Sequence, residues 1–244
     1  MAGHSKWANI KHRKGKADAA KGKVFSRITK EIISAVKQGG PDAKSNTKLR
    51  LAITKARAAN MPNDNIERNI KKASSSDQAD YVEMTYELYG YGGVGIIVDV
   101  MTDNKNRISS DMRIATNKRG GTIANPGSVA FNFDRKGVIQ VLKKNAVEEE
   151  LFLLASEAGA EDFDASEDLY YITTSPETLY QVKDKLDQKG VKCEEAEMKW
   201  IPKINIECNA EDKGSNFALI DWLENIDDVD SVYHNMEMGD SESE

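Results

Sequence analysis

The spacing of apolar residues changes at about residue 81. Before that point they recur every three or four positions, which predicts helices; after it, runs of period two alternate with helical stretches. The first helix starts at about Lys16, with Val24, Phe25, Ile28, Ile32 and Val36 on one stripe and Lys21, Lys23, Arg27 and Lys30 off it. Gly39-Gly40-Pro41 ends it. A second helix, about Lys44 to Asn60, puts Lys48, Arg50, Lys55 and Arg57 on its polar side and breaks at Met61-Pro62, because the residue before proline is pushed out of helical space. A third is short: Asp64 and Glu67 have capping-box spacing, and Ile66 and Ile70 form its stripe. Ser74 to Asp77 reads as a linker.

Beyond it, Val82, Met84, Tyr86 and Leu88 alternate with Glu83, Thr85 and Glu87, and after a glycine-rich turn Val94 to Val100 forms a second, more apolar strand. A helix from about Asn104 to Lys118 follows, then a crossing segment over residues 122–128. Val129, Phe131 and Phe133 alternate, Arg135-Lys136-Gly137 reads as a turn, and Val138 to Leu142 returns as the second arm of a hairpin. A helix over Ala146 to Ala158, strands near Glu161 and at Leu169 to Thr174, a helix bracketed by Ser175-Pro176 and Gly190, and a strand from Val191 to Met198 complete this stretch. A strand at Ile204, Ile206 and Cys208, a helix through Phe217, Ile220, Leu223 and Ile226, and a strand around Val232 remain.

Neither the first β-β-α unit nor this last β-α-β piece buries its faces alone, so the two are expected to share a sheet with residues 129–202 inserted between them. The fold class that follows is α+β: an N-terminal three-helix domain (1–76), then two α/β domains of ferredoxin-like type (77–128 with 203–238, and 129–202), one inserted in the other. Residues 239–244 read as an acidic, disordered tail.

Charge sharpens this division. Residues 1–76 hold 18 Lys/Arg against 5 Asp/Glu, a net of +13, and the other 168 residues hold 16 against 35, a net of −19. The overall −6 conceals a basic module on an acidic body, the pattern of a chain whose first part meets a polyanion; docking of that basic face on the chain's own acidic domains is the competing reading. Within residues 1–15, Trp7 is interleaved with Lys6, Lys11, His12, Arg13 and Lys14, so cations stand ready for phosphates, and Trp7 either stacks on a base or anchors the arm. No apolar run has the ~20 residues of a membrane span. The start has neither an apolar leader nor a transit pattern, and Cys193 and Cys208 are isolated thiols. These features lead us to expect a cytoplasmic chain with no membrane, metal or cofactor.

Gly90 to Gly95 matches G-x-G-x-x-G, but it joins two strands where a dinucleotide site requires a helix next, so it reads as a glycine-dependent hairpin. Asp103 to Arg107 is a polar cluster at a strand-to-helix junction, with Asp103 as N-cap or the junction as a phosphate contact. His4, His12 and His234 are the only histidines, and no catalytic motif occurs, which leaves an enzyme reading without residues.

Met1 to Lys14, Arg57 to Lys72, Asp103 to Arg107, Gly127 to Val129, Arg135 to Gly137, Glu157 to Asp162, Asp227 to Val229 and Val232 to Asn235, in this order, resemble the YebC family nearly end to end. Tyr91 departs from the Gly-Pro-type sequence common at that family's glycine turn. The resemblance implies an N-terminal helical domain with two α/β domains and a role in gene expression. Members are described as promoter-binding transcriptional regulators, and others as ribosomal translational activators at proline runs.

The expected function is therefore that of a non-enzymatic, DNA-binding transcriptional regulator. The alternatives are a ribosome-associated translational activator binding ribosomal or transfer RNA, and an interaction scaffold. The residues expected to contact nucleic acid, promoter DNA or ribosomal RNA, are Lys6, Trp7, Lys11, His12, Arg13, Lys14, Lys16, Lys21, Lys23, Arg27, Arg50, Lys55 and Arg57.

Overall fold

A computed structural model describes residues 20–75 and 80–238. The linker serine and aspartate at 76–77, the tail and the arm before residue 20 lie outside the described residues. The described chain is α+β, with an N-terminal helical region and two four-stranded sheets. It falls into two compact units, one running to Pro126 and adding Asn209–Val232, the other taking Gly127–Cys208 and the chain from Tyr233.

The first unit begins with helices α1 (Ala20–Gly39), α2 (Thr47–Ala58) and α3 (Asn63–Ala73). Most of the predicted stripe is their core: Ile28, Ile32 and Val36 of α1 bury against Leu49, Ala52 and Ala56 of α2 and Ile66 of α3, with Met61 between and Phe25 partly buried at the edge, while Val24, expected on the same stripe, is exposed. Burying each such aliphatic side chain is worth about 1.5–3 kcal/mol. Buried Asn46 sets the turn from α1 to α2. Its Oδ1 accepts from the Leu49 amide (3.0 Å) as N-cap, while its Nδ2 donates to the Ala35 and Gly40 carbonyls (2.7 and 2.8 Å). That cap starts α2 three residues later than expected. α3 has no capping box at Asp64 and Glu67: Pro62 ends the preceding segment, its carbonyl accepts from the Asn65 amide, and Asp64 falls inside the first turn, where its charge suits the helix dipole.

Strands β1 (Val82–Tyr89) and β2 (Gly95–Thr102) form an antiparallel hairpin in the register Val82↔Thr102 to Tyr89↔Gly95. Helix α4 (Lys105–Arg119) follows, and the segment expected to cross without structure carries a two-residue strand, β3 (Thr122–Ile123), on the outer edge of β1. Later in the chain, α7 (Ala210–Glu224) packs on α4, and β8 (Val229–His234) joins β2, giving the order β3-β1-β2-β8. Between them in sequence come β4 (Phe133–Leu142), α5 (Glu148–Ala158), β5 (Asp162–Ala165), β6 (Leu169–Thr174), α6 (Leu179–Gln188) and β7 (Glu195–Pro202), with sheet order β5-β6-β4-β7. Ile139, Val141 and Ile172 bury one face of this second sheet under Leu151 and Ala155 of α5 and Leu179, Val182 and Leu186 of α6.

Three further expectations are overturned. Arg135-Lys136-Gly137 is no turn: β4 runs straight through it, pairing Arg135, Lys136 and Gly137 with Trp200, Lys199 and Met198 of β7. Gly137 is needed for space, since a Cβ there would lie 2.3 Å from Thr174 Oγ1 and 2.8 Å from Leu179 Cβ. Ser175 does not cap a helix; residues 175–178 form a turn, and α6 starts at Leu179. Ile204, Ile206 and Cys208 form no strand. Ile204 is 66% exposed, and a single bridge ties Ile206 to Met236, so the alternation there records no burial.

Candidate nucleic-acid interface

The cations expected to face a polyanion divide by what surrounds them. Lys6, Trp7, Lys11, His12, Arg13, Lys14 and Lys16 lie outside the described residues, as does the Lys21 side chain. On α1, Lys23 is half-buried. Arg27 lies between Glu31 (3.2 Å) and Asp230. On α2, Lys55 pairs with the same Glu31 (3.0 Å), and Arg50 folds over the preceding turn toward Thr47 Oγ1 (3.4 Å) and the Ala43 carbonyl. Arg57 is exposed. Of the five predicted residues whose side chains are described, Arg27, Arg50 and Lys55 therefore already have protein partners.

Lys30 goes furthest inward. Its ammonium donates to Asp228 Oδ1 (2.9 Å) and to the Asp227 and Met101 carbonyls (2.8 and 3.2 Å). Asp228 is the centre of a network that sequence reading left in two separate motifs, Asp103 to Arg107 and Asp227 to Val229. Its Oδ2 accepts from Thr102 Oγ1 (2.8 Å) and from Arg107 Nε and Nη2 (2.9 and 2.6 Å), and Arg107 Nη2 also reaches Asp103 Oδ1 (2.7 Å). Asp103 thus holds Arg107 and does not cap α4. The cap is Asn104, whose Oδ1 accepts from the amides of Asn106 and Arg107.

Burial alone would raise the Asp228 carboxyl, but hydrogen bonds from Lys30, Arg107 and Thr102 outweigh it and hold the group below its ordinary value. Hydrogen bonds to Asp103 and then Asp228 raise Arg107. Beside them Tyr81, with Lys30 5.9 Å from its ring centre, is raised by burial and by the charges of Asp103 and Asp228. The network therefore joins the helical region to the end of β2, the start of α4 and the loop before β8. Within it the Asp228 carboxylate is matched by Lys30 and Arg107.

Four cations outside the expected set stand on α3 and in the turn between α1 and α2. Lys44, Arg68, Lys71 and Lys72 are exposed, and the one described side-chain bond among them runs from Arg68 to Asn65. Lys71 and Lys72 close α3, where positive charge also suits the helix dipole. With Arg57 they form an accessible basic surface among the described residues. The clue was present in sequence, as Lys71-Lys72 ends the Arg57 to Lys72 motif.

Gly90 to Gly95 is the expected hairpin loop, with Gly92 and Gly93 at φ of 65° and 81°. Among the described residues no cluster of His, Cys, Asp or Glu could hold a metal ion, and no helix is long and apolar enough to cross a membrane.

Residues 5–76 match the model of the TACO1/YebC protein N-terminal domain, and residues 81–236 match that of the TACO1/YebC second and third domain. A probable transcriptional regulatory protein of Protochlamydia amoebophila is 71% identical over 238 residues, covering 98% of this chain and 97% of the relative. One from Chlamydia muridarum is 58% identical, covering 97% of this chain and all of its own length. The crystal structure of a conserved hypothetical protein from Aquifex aeolicus superimposes with a TM-score of 0.86 at 42% identity, over 97% of this chain and 98% of that one. The motifs that frame Asp228 and the basic helices thus lie inside the matched segments, and the chain belongs to the TACO1/YebC family.

Proposed function

We propose that this chain is a non-enzymatic regulator of gene expression, a cytoplasmic DNA-binding transcriptional regulator that grips phosphates through its basic N-terminal helical region. The observation that carries the reading is the division of that region's cations. Arg27, Lys30 and Lys55 are held by acids, whereas Arg57, Lys71 and Lys72 face solvent in a segment of net +13. The names of the relatives support a role in transcription. In this proposal residues 1–76 are the binding module, and the α/β parts, 77–128 with 203–238 and the inserted 129–202, orient it.

Counterion release supplies the test: log affinity for duplex DNA falls with log salt at a slope of about 0.9 per phosphate neutralised. Replacing Lys11, Arg13 and Lys14 with alanine removes about half of a slope built on roughly six contacts, and replacing Arg57, Lys71 and Lys72 lowers it by a similar amount. No retention of DNA or RNA in a gel shift at physiological salt overturns the proposal in favour of a scaffold. Co-sedimentation with ribosomes that survives nuclease treatment of free RNA assigns the phosphates to the ribosome, and with it to translation.

A further inference from the structure

The turn between β1 and β2 holds one aromatic side chain unusually firmly. Asn216, fully buried on α7, accepts from the Tyr91 amide with Oδ1 (2.8 Å) and donates from Nδ2 to the Tyr91 carbonyl (3.0 Å). Gly90 is required beside this clamp, since a Cβ there would lie 2.3 Å from Asn216 Oδ1. At the other end of the side chain, the Tyr91 hydroxyl donates to the Arg119 carbonyl (3.3 Å), over Gly120, where φ is +78° and a Cβ would lie 1.9 Å from that hydroxyl. Tyr91 is thus fixed at backbone and hydroxyl, yet remains 38% exposed. Next to it the Arg119 guanidinium sits 5.1 Å from the ring centre of Trp222, and Lys118 is exposed.

A rigid, accessible aromatic beside a stacked guanidinium and a free lysine is the combination that unpaired bases use. Bases stack on aromatic rings and on arginine planes, and the cations meet the phosphates. We infer that Tyr91, Arg119 and Trp222, with Lys118, form a stacking platform for single-stranded nucleic acid, carried on different elements from the basic helices. Tyrosine, arginine and tryptophan also anchor protein contacts, but the charge favours a polyanion. The last turn of α4 is Thr116-Asn117-Lys118-Arg119, with two cations and no acid. These cations offset the negative end of the helix dipole, one of whose carbonyls the Tyr91 hydroxyl already covers. The acids nearest Trp222 in sequence, Asp221 and Glu224, are on α7, which directs the phosphates of a bound strand toward α4.

The inference rests on the nucleic-acid reading above and deepens it, so its test measures both. The full chain is titrated with labelled poly(U) and, separately, with duplex DNA. Tyr91→Leu weakens poly(U) binding about tenfold and duplex binding less than about twofold, while Tyr91→Phe, which keeps the ring, stays within about twofold on both. In a Trp7→Phe/Trp200→Phe chain, poly(U) quenches the emission of Trp222. That quenching, seen with Tyr91 intact, decides the matter if Tyr91→Leu proves poorly folded. Unchanged poly(U) affinity in a folded Tyr91→Leu chain, or an unquenched Trp222 in a chain that binds poly(U), overturns the platform and leaves the helical region's role standing. The first is also the outcome if the patch serves a protein partner. A chain that binds neither poly(U) nor duplex overturns both.

Discussion

Asp228 is 3% exposed and carries four hydrogen bonds from three side chains, so its charge is fixed by its neighbours. Asp228→Asn keeps the shape but leaves Lys30 without a counter-charge in a buried setting. Thermal melts at pH 7 should show a loss of about 3 kcal/mol, at the low end for a broken buried pair because Arg107 is half exposed. The pH dependence has a definite sign. A carboxyl held below its ordinary value contributes fully above the unfolded pKa of about 3.9, and the contribution is lost as pH falls below that through the lower folded value. The gap in melting temperature between the natural chain and Asp228→Asn should therefore narrow as pH drops from 5 toward 2; a constant gap would mean the carboxylate charge is not what stabilises. Cys193 makes a second residue-scale case. Burial pushes its thiol up to about 11, so in the folded chain at pH 8 only about 0.1% is thiolate, and iodoacetamide should label it far more slowly than in urea. The Asp228 environment depends on neighbours remote in sequence. Asp228 meets Arg107 across 121 residues and Lys30 across 198, and no local pattern announces either pairing.

Among elements, two glycines in ordinary secondary structure separate packing from propensity. Gly137 sits inside β4, where a methyl group meets Thr174 and Leu179; Gly137→Ala should cost about 1–3 kcal/mol by overpacking. Gly214 lies within α7 with open space around its Cα, so Gly214→Ala should gain about 0.5–1 kcal/mol, the usual helix preference for alanine. Urea denaturation of the two variants reads opposite signs, and a Gly137→Ala chain no less stable than the natural one would refute the packing argument. The same position shows why sequence reading erred. Glycine after two cations has the composition of a turn, but β4 is flanked by β6 and β7, and the glycine answers to the helix α6 above it. The stripes of α1 and α2 were legible because solvent on one side forces a period, and β1 keeps its alternation in sequence although Glu87 is buried and Val82 exposed. β2, buried at every position but half-buried Asp99, read correctly as the more apolar strand.

For the whole molecule, the charge division is the determinant. The first 76 residues carry a net of +13 and the rest −19, and within the first unit the helical region is tied to the later segment through Lys30 and Arg27, which meet Asp228 and Asp230. Charge-reversal at exposed sites tests how much of the basic surface is left for ligands. Arg57→Glu with Lys71→Glu should abolish duplex binding at 0.15 M salt while shifting the melting temperature little, since neither side chain is buried. The reverse pattern, lost stability with intact binding, would make these cations structural.

Sequence alone determined the α+β class, the three N-terminal helices, most of the strands and the basic-versus-acidic division, because periodicity and charge are local sums that any fold must respect. Tertiary structure alone decided which cations are spent. Arg27, Lys30, Lys55, Arg57, Lys71 and Lys72 are alike as letters, and only the approach of Glu31, Asp228 and Asp230 separates the paired from the exposed. It decided equally that Tyr91 stands clamped and accessible over Gly120, since Asn216, 125 residues away, supplies the clamp. A partner's identity is set by distance in space, and distance in space is what a linear pattern does not carry.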